Sequence, residues 1–167
     1  MRTILTCALV CAAVAGGSST ALAASSDDAG IKALYAQFAT AFNAKSVDGV
    51  MKVFAPGKEL VVFDVVPPRE YDGWDAYKKD FQDFFAGYKG PVKFTISNLS
   101  YQTSGDLGFG HSIQRVVGTD TKGKPSDVTV RVTDAYRKIG GKWFIVHEHV
   151  SVPVDLNTNK PDLHSMP

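Results

Sequence analysis

The second half of the sequence, residues 92–152, alternates apolar and polar side chains over long stretches that are broken only by short turns. A period of two is typical of half-buried β-strands. Glycine-containing turns between such stretches indicate hairpins. Four consecutive strands joined in this way form an antiparallel meander. The predicted strands cover residues 92–103, 107–119, 126–139 and 142–152.

The first half of the chain has the spacing of amphipathic helices. Apolar residues recur there every three or four positions, which marks one buried face on each of three helices. Asp27 or Asp28 is a suitable N-cap for the first helix, and Ser46 is suitable for the second. The predicted apolar faces lie within residues 31–42, 47–54 and 74–88.

One further strand is predicted over residues 60–66, where β-branched and aromatic residues are concentrated, and Pro67-Pro68 ends it. Residues 69–72 are predicted to form a loop. Helices grouped ahead of an antiparallel meander imply an α+β fold. Because long twisted strands coil as they pack on helices, we expect a cone-shaped, curved antiparallel sheet, with three helices from the N-terminal half packed on it and a pocket inside.

The N-terminus has the pattern of a secretory signal peptide. Arg2 provides a positive charge, residues 4–15 are an apolar segment, and Ala21-Leu22-Ala23 is a small-x-small cleavage site. We therefore predict a signal peptide over residues 1–23 and a periplasmic or secreted protein; an N-terminal anchor helix is the alternative. The folded domain is predicted over residues 24–153, followed by an extended tail over residues 154–167.

Cleavage after Ala23 changes the charge and the cysteine content. The full chain has 18 basic and 17 acidic residues, and removal of Arg2 leaves 17 of each. A net charge near zero argues against nucleic acid or an anionic membrane as a partner. Cys7 and Cys11 leave with the signal, which removes thiol and disulfide chemistry. The sequence has no phosphate-binding loop, dinucleotide fingerprint or nucleophile elbow, so we predict no cofactor.

Three stretches resemble the nuclear transport factor 2-like superfamily. Residues 42–51 resemble the helix-break-helix of the ketosteroid isomerase and SnoaL-like cyclase families, and Asp64 with Gly73-Trp74 resembles their first strand and third helix. Residues 131–151 are similar to the closing strands of SnoaL-like domains and of the association domain of calmodulin-dependent kinase II. The resemblance implies the fold described above, a ligand pocket and a homodimer that pairs through its sheets.

The resemblance to ketosteroid isomerase also implies roles for particular residues. The general-base Asp of that enzyme stands nine residues before the Gly that opens the third helix, and Asp64 stands nine residues before Gly73. The two hydrogen-bond donors for the dienolate oxygen fall on Phe38 and Thr133, with Asp134 one residue away. Phe38 cannot donate and Thr133 offers only a hydroxyl. Loss of one such donor costs about 3–4 kcal/mol of transition-state stabilisation.

Asp64 is the leading candidate for a catalytic residue. A carboxylate at the end of a strand in an apolar pocket has a raised pKa and can take a proton from carbon. The alternative role is to cap the loop at Pro67-Pro68. We expect His149 and Arg131 to assist, although Arg131 can instead pair with an acid or face solvent. Further ligand-binding candidates are Tyr35, Phe38, Trp74, His111, Thr133, His147 and Ser151.

The face of the last strand that lines the pocket decides several of these roles. His147, His149 and Ser151 alternate along the strand and so share a face with Trp143 and Ile145. We favour this face as the interior. A His-x-His pair can hold a metal, with His111, Asp64 or Glu148 as the third ligand. The sequence has no dense cluster of such ligands, so structural or hydrogen-bonding histidines are predicted and a metal is not.

Two functional interpretations remain open at this point. The first is an exported domain that binds a small molecule, mostly apolar or carrying a carboxylate, and catalyses proton transfer of the isomerase, cyclase or hydratase type with Asp64 as base. The second is a non-catalytic ligand-binding or homodimeric assembly module. A fold of this kind hosts many unrelated roles, so the choice depends on the geometry of the site.

Overall fold

The computed structural model describes residues 19–165, with side chains from Asp27 onward. Most of the predicted signal peptide therefore lies outside the described residues, and it stays a prediction. The helices are α1 (Ser19–Asn43), α2 (Val47–Met51) and α3 (Trp74–Ala86). The strands are β1 (Val61–Phe63), β2 (Tyr71–Asp72), β3 (Lys93–Ser104), β4 (Leu107–Thr119), β5 (Pro125–Ile139), β6 (Lys142–Ser151), β7 (Val154–Asp155) and β8 (Lys160–Pro161).

Six strands form one sheet in the order β2-β1-β6-β5-β4-β3, so the predicted α+β fold with a meander is confirmed. The sheet is mixed, because β1 runs parallel to β6 while every other neighbouring pair is antiparallel. Residues 71–72, predicted as loop, form the edge strand β2. The tail, predicted as extended, folds back as the β7–β8 hairpin.

The helices pack on one face of the sheet through aromatic side chains. Phe42 of α1 stacks on Phe94 of β3 with ring centroids 4.2 Å apart, and Phe38 meets Phe81 of α3 edge to face at 6.3 Å. Both geometries are favourable for aromatic pairs, and each buried ring removes a large apolar area from water. The stripe predicted on α3 is thus core, with Tyr77, Phe81 and Phe85 buried.

The helix caps follow the prediction only in part. Ser46 caps α2, and its side chain accepts a hydrogen bond from the Gly49 N–H at 3.1 Å. The predicted cap at Asp27 or Asp28 is wrong, because α1 already begins at Ser19. Asp28 instead forms an ion pair with Lys32, one helical turn further on.

A β-bulge in β6 determines which side chains face the helices. β5 and β6 pair Ala135 with His147 and then Tyr136 with Ile145, so Val146 has no partner across the ladder. One extra residue reverses the alternation of the side chains. Ile145 is buried before the bulge, and after it Glu148, not His147, turns to the same concave face.

Candidate ligand pocket

A cavity of about 420 Å³ lies between the concave face of the sheet and helices α1 and α3. This volume falls within the range typical of small-molecule sites. Most of its wall is apolar, with aromatic rings on the helix side and valines on the sheet side. The apolar lining consists of Phe38, Phe42, Val65, Val66, Phe81, Phe84, Tyr88, Phe94, Val116, Val128, Val130, Val132 and Val150.

The described residues that line the cavity include three carboxyl groups and no basic side chain. Asp64 follows β1, Asp80 lies on α3 and Glu148 lies on β6. Tyr77 of α3 stands between two of them, since its hydroxyl donates to Glu148 and lies 3.5 Å from Asp64 Oδ2. Among the described lining residues, Gln114 of β4 adds an amide and Tyr88 a hydroxyl.

Asp64 is half-buried at the end of β1, where the chain leaves the sheet toward Pro67. Burial raises the pKa of its carboxyl to about 6, and the negative charge of Asp80 adds to this effect. Backbone N–H groups of Val65 and Val66 and the hydroxyl of Tyr77 bind the carboxylate and oppose the rise in pKa. The result is a carboxylate that exchanges its proton near neutral pH in contact with an apolar cavity.

Glu148 is 3% exposed and accepts a hydrogen bond from Tyr77 at 2.5 Å. Its cross-strand neighbour on β5 is Asp134, which has no exposed surface. Burial, and then the negative charge of Asp134, raise the pKa of Glu148 well above its ordinary value. Glu148 is therefore the member of the pair that carries a proton, because two adjacent buried carboxylates cannot both ionise.

Asp134 continues the network away from the cavity. It accepts a hydrogen bond from Tyr35 of α1 at 2.5 Å, and the Tyr35 hydroxyl is also bonded to that of Tyr136. Burial raises the pKa of Asp134, while hydrogen bonds from Tyr35 and Glu148 act in the opposite direction. Gly110 of β4 leaves room for this cluster, since a Cβ there would stand 2.3 Å from the Tyr136 hydroxyl.

The sequence comparison assigns the family. A family model described as the SnoaL-like domain matches residues 31–155. The chain belongs to the SnoaL-like domain family. No protein with a curated description matches the sequence.

Solved structures agree with this assignment. A protein of unknown function from Pseudomonas putida, described as NTF2-like, shares 27% identity at a TM-score of 0.74, over 90% of this chain and 100% of the other. A ketosteroid isomerase-like protein from Erwinia carotovora atroseptica has 22% identity and a TM-score of 0.62, over 74% and 93%. An NTF2-like superfamily protein from Salmonella enterica has 14% identity and a TM-score of 0.69, over 81% and 95%. The last two show the fold alone.

Two of the predicted site residues line the cavity of this SnoaL-like domain. Asp64 is part of its polar wall and Phe38 part of its apolar wall. Tyr35 lies behind the wall, in the hydrogen-bonded cluster with Asp134. Trp74 is part-buried at the start of α3, where its Nε1 donates to the Met51 carbonyl at 3.0 Å, and it does not line the cavity.

The remaining predicted site residues lie on the outer, convex face of the sheet, so the preference for their face as the interior is wrong. His111, Thr133 and His149 stand side by side across β4, β5 and β6, and Arg131 is paired with Ser151. For the β6 residues the bulge at Val146 is the physical reason, because it turns Glu148 and Val150 inward. On β4 and β5 the regular alternation of the strands turns the candidates outward. The outward-facing set is His111, Arg131, Thr133, His147, His149 and Ser151.

The outward-facing histidines have structural contacts. His147 Nδ1 is 2.8 Å from the Val61 carbonyl oxygen, and the Phe63 ring meets the edges of both His147 and His149. Within residues 19–165, no three His, Cys, Asp or Glu side chains are grouped as metal ligands would be. Among the same residues, no helix is long and apolar enough to cross a lipid bilayer.

Sequence reasoning missed Tyr77, Asp80 and Gln114 as pocket residues. It considered Glu148 only as a metal ligand or as the acid that pairs with Arg131. Tyr77 was assigned to the aromatic core of α3, although Asp80 follows it by three residues and so lies on the same helical face. That pairing of a phenol with a carboxylate was the available signal. Gln114 gave none, because one amide in a strand is usually a surface residue.

Proposed function

We propose that this SnoaL-like domain binds a small, mostly apolar molecule and catalyses proton transfer with Asp64 as general base. The observation that supports the proposal most directly is the position of Asp64, half-buried in the wall of an apolar cavity with a pKa raised to about 6. A base whose pKa lies near the working pH is both ionised and basic enough to take a proton.

Tyr77 supplies the hydrogen-bond donor that Phe38 and Thr133 do not. Its hydroxyl is 3.5 Å from Asp64 Oδ2, so one substrate can contact both groups. The Tyr77 hydroxyl is hydrogen-bonded to Glu148, whose carboxyl is kept neutral by burial. A carboxylic acid kept neutral in an apolar site is a known element of oxyanion stabilisation. The proposed donor therefore comes from α3 and not from α1.

The reaction balances with these two groups alone. The Asp64 carboxylate takes a proton from a carbon next to a ketone, and the electron pair of that C–H bond moves to the carbonyl oxygen as an enolate. The Tyr77 hydroxyl turns from Glu148 and donates its single proton as a hydrogen bond to the enolate oxygen. Asp64 then returns the same proton to another carbon of the conjugated system, which yields an isomer and restores the carboxylate.

A thermal-shift screen tests whether the cavity binds such molecules. We expect steroid-like or polyketide-like ring ketones to raise the melting temperature of the wild-type chain, since a ligand that binds only the folded state stabilises it by mass action. Small carboxylates should not, because the lining carries acids and no described cation, and Arg131 lies outside it. Stabilisation by carboxylates and by none of the ketones would contradict the proposal.

A second candidate function, homodimeric assembly, is supported by the outer face of the sheet. Phe109 is 53% exposed and Phe63 is 38% exposed there, on an open face next to the histidines. We propose that a second copy of the chain packs on it. Phe109→Asp should then shift the sedimentation coefficient of the dimer to that of the monomer at micromolar concentration. Leu156→Asp is the control, because Leu156 is 85% exposed and lies outside the sheet. A wild-type protein that is monomeric under these conditions would contradict this candidate.

A further inference from the structure

The ionisable side chains that line the cavity, among the described residues, are acids together with the weakly acidic phenols of Tyr77 and Tyr88. Asp64, Asp80 and Glu148 all belong to its lining, and none of the described lining residues is Lys, Arg or His. Glu148 holds a proton, as described above, but Asp64 is ionised above about pH 6. A carboxylate that is ionised in an apolar cavity gains from any positive charge brought next to it.

Asp80 places a second negative charge near Asp64. Its Oδ1 accepts a hydrogen bond from Tyr71 at 2.7 Å, which fixes the carboxyl on the inner side of α3. Burial raises the pKa of Asp80, and the charge of Asp80 in turn raises the pKa of Asp64. The charge of Asp80 therefore makes Asp64 harder to ionise, and a cation placed beside both would relieve the repulsion.

Gln114 points independently to a ligand. Its side chain is 6% exposed and lines the cavity, on β4 across the sheet from Asp64. The only hydrogen bond of this amide among the described residues runs from Nε2 to Ser112 Oγ at 3.3 Å. Its carbonyl oxygen and its second N–H can therefore bind a molecule inside the cavity.

We propose that the ligand of this cavity is a hydrophobic amine bound as its ammonium ion. The ammonium lies beside Asp80 and Asp64, the apolar body lies against the rings of Phe38, Phe81 and Phe84, and an oxygen at the far end meets Gln114. Aromatic faces and carboxylates both attract cations. This inference rests on the proposed function for the location of the ligand. It adds that the ligand carries a positive charge and has a polar group at each end.

The ligand would also tune the proposed base. A neighbouring ammonium lowers the pKa of Asp64, so the bound complex keeps the carboxylate ionised at lower pH and makes it a weaker base. Binding above about pH 6 therefore needs no proton release from Asp64, whereas binding below that pH does.

Three matched probes test the charge preference: 2-naphthylmethylamine, 2-naphthylmethanol and 2-naphthoate, each titrated calorimetrically into the full chain at about pH 7.5, where the amine is protonated. We expect the amine to bind about tenfold or more tightly than the alcohol, and the carboxylate to bind more weakly than both. Equal binding of amine and alcohol, tightest binding of the carboxylate, or no binding of any probe would overturn the inference.

Two variants locate the effect. Asp80→Asn should reduce the preference for the amine over the alcohol to about threefold or less while leaving the affinity for the alcohol within about twofold. Asp83→Asn is the matched control, because Asp83 lies on the same helix but is exposed and paired with Lys79. It should leave the preference unchanged. If Asp83→Asn abolished the preference as strongly as Asp80→Asn, the charge would act from the surface and the inference would be wrong.

The outcome is separable from that of the proposed function. Amine binding with no turnover of any ketone would contradict the catalytic role of Asp64 and support the amine site. Turnover of a neutral ketone that depends on Asp64, together with equal affinity for amine and alcohol, would support the catalytic role and contradict the amine site.

Discussion

Replacing Asp64 with Asn is expected to lower the turnover of a ketone that the cavity accepts by roughly 10²–10⁴-fold, which is the usual contribution of a positioned general base. The amide of Asn cannot take a proton from carbon. It can still accept the hydrogen bond that Asp64 Oδ1 receives from the Val65 N–H at 2.5 Å. Substrate affinity should therefore change little while the maximal rate falls.

The stability of the folded chain should not follow the rate. Because the folded-state pKa of Asp64 is raised, its carboxylate opposes folding once the pH exceeds the unfolded value of about 4. A neutral amide removes that penalty, so the melting temperature of Asp64→Asn near pH 8 should equal or exceed that of the wild type. A rate loss that came with a fall in melting temperature would indicate a structural role instead.

The pH dependence gives a second readout of the same group. The wild-type rate should rise as the pH passes about 6, where Asp64 loses its proton, and should then level off. Asp83→Asn serves as control, because this exposed acid of α3 lies outside the cavity and should keep the wild-type profile. If Asp64→Asn retained more than a tenth of the wild-type rate, or kept the rise near pH 6, Asp64 would not be the base.

Asp64 was accessible to sequence reasoning because local features position it. The carboxylate follows three strand residues, Pro67-Pro68 turns the chain, and Gly73, with φ of 92°, opens α3 at a fixed distance. A left-handed conformation there favours glycine and so preserves the spacing. The fold was accessible for a similar reason, since the change of period from helix to strand is written along the chain.

Which residues of β6 line the pocket could not be predicted from the sequence, because this depends on one unpaired residue of the strand. Strict alternation along the strand places His147 and His149 with Ile145, and the unpaired Val146 reverses this order. A bulge leaves little mark on the sequence of its own strand. This error of phase accounts for His147, His149 and Ser151 on β6, whereas His111, Arg131 and Thr133 face outward through the regular alternation of β4 and β5.

The hydrogen-bonded pair Tyr35 and Asp134 shows a related error, in which the donor was placed one helical turn away from its true position. Counting from the helix break placed the donor at Phe38, whereas the Tyr that reaches the penultimate strand is Tyr35, bonded to Asp134 and not to Thr133. Tyr35 and Phe38 share one face of α1, since they are three residues apart. Packing of the helix on the sheet decides which of them meets the acid, and that packing is a tertiary property.

The buried pair Glu148 and Asp134 supports the second large prediction. Glu148→Ala should lower the free energy of unfolding by roughly 3–5 kcal/mol. The change leaves the Tyr77 hydroxyl without its acceptor and Asp134 without one of its donors, and it opens a void in a buried layer. Urea unfolding near pH 7 measures the loss.

Glu148→Gln is the matched variant that separates hydrogen bonding from charge. Its amide can accept from Tyr77 and donate to Asp134, as the protonated acid does. We expect its free energy of unfolding near pH 7 to lie within about 1 kcal/mol of the wild type. If Gln were as destabilising as Ala, Glu148 would act as an anion and the neutral acid assigned here would be wrong.

The pH dependence of stability tests whether Glu148 carries a proton in the folded chain. Its folded-state pKa is raised, so the folded chain holds a proton that the unfolded chain releases above about pH 4.5. Stability is therefore lost as the pH rises from that value toward the folded-state pKa, by up to about 1.4 kcal/mol per pH unit for one proton. Asp64 and Asp134, whose pKa values are both raised to about 6, add losses that end near that pH.

The comparison of wild type with Glu148→Gln isolates this proton, because groups remote from the pair contribute equally to both proteins. Carboxyl groups with lowered pKa, such as Asp127 and Asp162, change stability only below about pH 4. Between about pH 5 and 8 the free energy of unfolding of the wild type should fall faster than that of Glu148→Gln. The difference in slope should be up to about 1.4 kcal/mol per pH unit, the value for one proton. Parallel curves would mean that Glu148 is ionised in the folded protein, and the neutral acid behind Tyr77 would have to be abandoned.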